Sequence, residues 1–144
     1  MGSRPIRVSK MPFPLSPQAI DALAEIISGG GAYDGNKPIG LYRSGPQMEK
    51  FMRACNVDFH VSGSRVPSLV ASLIEINNGF EQEKVLPRII ETAADPRDFT
   101  KEPERHNAVL DHLNRVLRYD GFELQQQGLR VRLVAAGHAT PVVE

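Results

Sequence analysis

The residue types that could do chemistry fall into a few small groups. Gly30 and Gly35 stand at the interval of a phosphate-binding loop, with Lys37 close behind. Such a loop needs lysine directly after the second glycine, then Ser or Thr, on a strand-to-helix turn. Here Asn36 intervenes, Pro38 follows the lysine and a helical pattern precedes, so phosphate-loop chemistry is not expected. Cys55 and His60 supply the types of a thiol nucleophile and its base. Cys55, however, ends an apolar stripe of Met48, Phe51 and Met52, and nothing local favours a thiolate, so it is expected in the core. His106 and His112 are six apart on one helical segment and leave it on different faces, unlike an i, i+4 metal pair. No nucleophile, base and orienter come together in the sequence. The chain is therefore read as non-catalytic, with no metal and no cofactor.

Two groups point to binding instead. Arg43, Ser44 and Gly45 open a helix, where free N–H groups, the helix dipole and one guanidinium could hold a small anion. Arg115, Arg118, Arg130 and Arg132 lie on a helix and the hairpin that follows it. That is the layout of a winged helix, and the four would be its phosphate contacts. Asp111, Asp120 and Glu123 share the region and break any clean basic stripe.

These side chains need elements to hold them, and the punctuation for five helices is present. Ser16-Pro17 caps a first helix with Ile20, Leu23, Ile26 and Ile27 on one buried face, ended by Gly29-Gly30-Gly31. A glycine-rich, flexible connector runs to about Arg43. Ser44-Gly45-Pro46 opens the second helix, and Ser64 with Pro67 the third. The third is the most apolar, with Val66, Leu69, Val70, Leu73, Ile74 and Ile76. Between them, Asp58 to Val61 reads as a short extended piece. A fourth helix covers Glu83 to Ala94, with Pro87 restricting its start, and Pro103 opens a fifth that runs to about Arg118. The period then changes from 3.6 to 2. Phe122 and Leu124, then Leu129, Val131 and Leu133, face inward from a hairpin turning at Gln127-Gly128. The expected fold is α+β, mainly helical, with a C-terminal two-stranded antiparallel hairpin and a winged-helix-like layout. Residues 1–15 read as a basic flexible arm, 16–134 as one globular domain and 135–144 as a flexible tail or linker.

Composition narrows the function classes. The 144 residues carry 17 basic and 17 acidic side chains, so no bulk charge demands a polyanion. Arg4, Arg7 and Lys10 meet no acid in the first ten residues. The longest uncharged apolar stretch, Val66 to Ile74, is far short of the ~20 residues a bilayer span needs. One cysteine rules out an intrachain disulfide and points to a cytoplasmic setting.

Several phrases occur together: Ile26-Ile27-Ser28-Gly29-Gly30, Tyr42-Arg43-Ser44-Gly45-Pro46, Ser64-Arg65-Val66-Pro67, Asp95-Pro96-Arg97-Asp98 and Leu113 through Gly121. In these the chain, over residues 16 to 134, resembles the N-terminal domains of AbiJ-type abortive-infection proteins. The resemblance implies a helical module of bacterial phage defence that senses, docks or regulates ahead of a separate C-terminal effector. It brings no catalytic residue. The expected function is a non-catalytic interaction or regulatory module. Its partner would be another protein, a further copy of itself or its own effector domain, with no membrane involved. The alternative is a nucleic-acid-binding module built on the fifth helix and hairpin.

Overall fold

A computed structural model describes residues 13–136. It is an α+β, mainly helical fold. Five helices, α1 (Pro17–Ser28), α2 (Gly45–Ala54), α3 (Arg65–Asn77), α4 (Gln82–Ala93) and α5 (Pro103–Leu117), share one core. A miniature ribbon, β1 (Tyr33–Asp34) and β2 (Lys37–Pro38), interrupts the α1–α2 connector. The antiparallel hairpin β3 (Phe122–Gln127) and β4 (Arg130–Ala135) closes the fold.

α1 forms where its caps dictate. The Ser16 hydroxyl accepts from the Ala19 N–H at 3.1 Å, Pro17 sits first in the helix, and Gly29 ends it in the left-handed region at φ 81°. The expected inward face is buried, but so are Ala19, Ala22 and Ala24. α1 is the central helix, packed by α3, α4 and α5, and the alanines let neighbours approach on more than one side. α3 is the converse case. Only Leu69, Leu73 and Asn77 are buried on it, and Ile74 is 47% exposed. Its apolar composition does not make it central, because it lies at the periphery.

The connector is built, not loose. Gly35 (φ 66°) makes the β1–β2 turn, and Ile39 donates to the Ala32 carbonyl. Arg105 donates from Nε to the Ile39 carbonyl (2.9 Å) and from Nη2 to that of Gly40 (2.7 Å). The 58–61 segment forms no strand. The Val61 N–H is taken by the Glu49 carboxylate at 2.9 Å, a side chain in place of a ladder partner. In α4, Pro87 lies in the interior rather than at the start. Leu86, Ile89, Ile90 and Ala93 beside it are buried as their spacing requires.

The hairpin turns one residue later than expected. Gln127 pairs with Arg130, so Gly128 and Leu129 form the loop, Gly128 supplies the positive φ (66°) and Leu129 is exposed. Phe122, Leu124, Val131 and Leu133 face the core as expected. Two buried asparagines fasten chain segments to helices. Asn77 binds both the N–H and the C=O of Leu15, and Asn114 does the same to Leu124 (2.7 and 3.1 Å). Phe13 stacks on Phe122 at 4.9 Å, so residues 13–15, assigned to the arm by sequence, belong to the domain. The remainder of the arm and residues 137–144 of the tail lie outside the described residues.

Candidate functional site

The anion-binding candidate at the start of α2 is occupied by its own neighbours. Arg43 donates from Nη1 to the Ile27 carbonyl (3.1 Å), lies 3.9 Å from Asp98 and stacks over the Phe51 ring at 4.6 Å. Burial lowers its pKa, with Asp98 opposing the shift. Ser44 and Gln47 form a reciprocal capping box, which satisfies the Ser44 and Gln47 N–H groups internally. Arg65 completes the cluster, donating to the Arg43 carbonyl at 2.6 Å and stacking on Tyr42. These arginines hold the return of the connector against the end of α1.

Cys55 is 1% exposed, and burial pushes its thiol up, against smaller opposing effects of Thr92, Arg88 and Arg43. His60 points to solvent and pairs with Asp58 at 3.0 Å. His106, buried, bonds the Ala94 carbonyl at 2.8 Å, whereas His112 reaches Glu25 on α1 at 3.0 Å. Their different faces are used for packing two different neighbours. Among the described residues no group of three or more His, Cys, Asp or Glu converges as a metal site. No described helix is long and apolar enough to cross a membrane.

The four arginines chosen from sequence divide between two places. Arg118 pairs with Glu123 (3.6 Å) beside β3, and Arg115 is exposed on α5. Arg130 and Arg132 instead line an open groove of about 720 Å³ between α4 and β4. The helix contributes Lys84 and Arg88, which sequence reading did not select. Their i, i+4 spacing opposite Leu86, Ile89 and Ile90 was the available signal. Arg97 comes from the 3-10 turn after α4 (Pro96–Phe99).

Five basic and two acidic side chains line this groove, and both acids are committed. Asp95 caps the 3-10 turn and takes Arg97 in a two-pronged pair, Nη2 to Oδ2 at 2.7 Å and Nε to Oδ1 at 3.1 Å. That hydrogen bonding holds the Asp95 carboxyl below the usual range. Glu91 accepts the Leu133 N–H at 2.8 Å and sits 3.8 Å from Arg132. Among the described residues, no ion pair involves Lys84, Arg88 or Arg130, and all three are exposed. The groove thus offers unneutralised cations on both walls. Pro87, Pro96, Leu129 and Val131 supply the aliphatic part of the lining, with no aromatic ring. No family model, curated protein or solved structure matches this chain.

Proposed function

We propose that this protein is a non-catalytic binding module whose partner docks in the α4–β4 groove. The observation that carries the reading is the unpaired charge of Lys84, Arg88 and Arg130 in a molecule of zero net charge. A local concentration of one sign focuses the field and selects an anionic partner. The resemblance of the chain's phrases to AbiJ-type N-terminal domains supports a sensing or docking role ahead of a separate effector.

Retention on a heparin matrix tests the groove. A neutral protein without such a patch elutes early at low salt. We expect the wild type to be retained and the Lys84→Glu/Arg88→Glu/Arg130→Glu variant to flow through, with Arg115→Ala/Arg118→Ala retained like wild type. Equal retention of wild type and the groove variant removes the reading.

A further inference from the structure

Resting on that reading, we infer that the occupant of the groove is the sugar-phosphate backbone of a nucleic acid, bound without regard to base sequence. Three features of the groove select it over an acidic peptide. The first is that the middle of β4's outer edge is already paired. Glu91 accepts the outward Leu133 N–H, so a peptide adding there as a strand would have to displace that carboxylate. The second is the floor. An amphipathic helix needs a continuous apolar stripe, and here Arg88, Glu91, Asp95 and Arg132 interrupt the aliphatic residues.

The third is the placement of charge. Lys84 and Arg88 stand one helical turn apart on one wall, with Arg130 on the other. From Lys84 to Thr92 the groove follows roughly 12 Å of helix axis at 1.5 Å per residue. Consecutive phosphates of one strand lie roughly 6–7 Å apart along the backbone itself, so two or three fit beside the three free cations. With no aromatic ring in the lining, the groove lacks the stacking platforms of single-strand binders. Binding is therefore blind to sequence, and a duplex, whose bases are already paired, is the expected source.

The test is fluorescence anisotropy with a short labelled duplex of mixed sequence, a labelled oligothymidine and labelled polyglutamate, each titrated across salt. Three neutralised phosphates give a slope of log K against log salt of about −2.7, or about a forty-fold loss of duplex affinity from ~50 to ~200 mM. Lys84→Ala, Arg88→Ala and Arg130→Ala should each make the slope shallower by about 0.9. Glu91→Gln keeps an acceptor for the Leu133 N–H but frees Arg132, so it should tighten binding and steepen the slope. A purely structural role would not produce that gain. Arg115→Ala and Arg118→Ala should change neither. Unchanged urea midpoints establish that the groove variants are folded.

Tighter binding of oligothymidine than of duplex, or dependence on base sequence, overturns the backbone assignment. Polyglutamate binding through Lys84, Arg88 and Arg130 without duplex binding leaves the groove standing and removes the nucleic acid. Slopes that respond to Arg115 and Arg118 but not to Lys84 and Arg88 move the interface to α5. Binding of none of the three probes removes groove and ligand together.

Discussion

Replacing Asn114 by alanine should weaken the whole domain through one strand residue. In the β3–β4 ladder, pairs alternate between bonding each other and pointing their polar groups outward. Leu124 and Leu133 are register partners of the outward kind, which leaves both edges of a two-stranded sheet in need of partners. The Asn114 amide meets the Leu124 edge with both its groups, accepting at 2.7 Å and donating at 3.1 Å, and Glu91 meets the Leu133 edge. Leu124 is 3% exposed, so water does not readily replace the amide. Each orphaned buried group costs about 1–3 kcal/mol, so Asn114→Ala should cost about 3 kcal/mol in all. That is a large part of the 5–15 kcal/mol a domain typically has, and corresponds to a fall in Tm of about 10 °C. Urea unfolding measures the loss, and amide hydrogen exchange should show Leu124 losing protection selectively. Asn78→Ala, at an exposed asparagine bonded only within its own helix, should cost less than about 0.5 kcal/mol. A loss below ~0.5 kcal/mol for Asn114→Ala, with Leu124 still protected, refutes the edge-capping argument and leaves the hairpin held by apolar contact alone.

Gly40→Ala places a Cβ 2.5 Å from the Ile26 carbonyl oxygen, backbone against backbone, and should destabilise by about 2 kcal/mol or more in urea. Gly35→Ala meets nothing within 4 Å and suffers only from its φ of 66°, so about 1–2 kcal/mol is expected. Arg105→Ala removes two charge-assisted bonds to the connector and should cost about 2–3 kcal/mol, with faster amide exchange between residues 29 and 43. The Cys55 thiol should react with a thiol reagent only at the rate of unfolding. Because burial raises its folded pKa, the unfolded chain ionises first as pH climbs through the ordinary thiol range. Stability should therefore fall there in urea titrations, and Cys55→Ala should abolish that part of the pH dependence.

Helix boundaries were legible in the sequence because caps and breakers act within one turn. Ser16-Pro17, Gly29, Ser44-Gly45-Pro46 and Pro103 mark ends that the structure places within a residue. Inward faces were legible where one side is buried, as for Leu86, Ile89 and Ile90. Whether a helix lies central or peripheral was not, since periodicity reports one face and α1 is contacted on several. The connector's order was hidden for a related reason. Its partners Arg65 and Arg105 lie far along the chain, and glycine content speaks only of local freedom. The fate of each charge depended wholly on tertiary structure. Arg43 has the same side chain as Arg130, but one is folded against Ile27 and Phe51 while the other faces an open groove. Pairing energy falls with distance in space, and distance in space between Lys84 and Arg130 exists only once the hairpin has docked on α4.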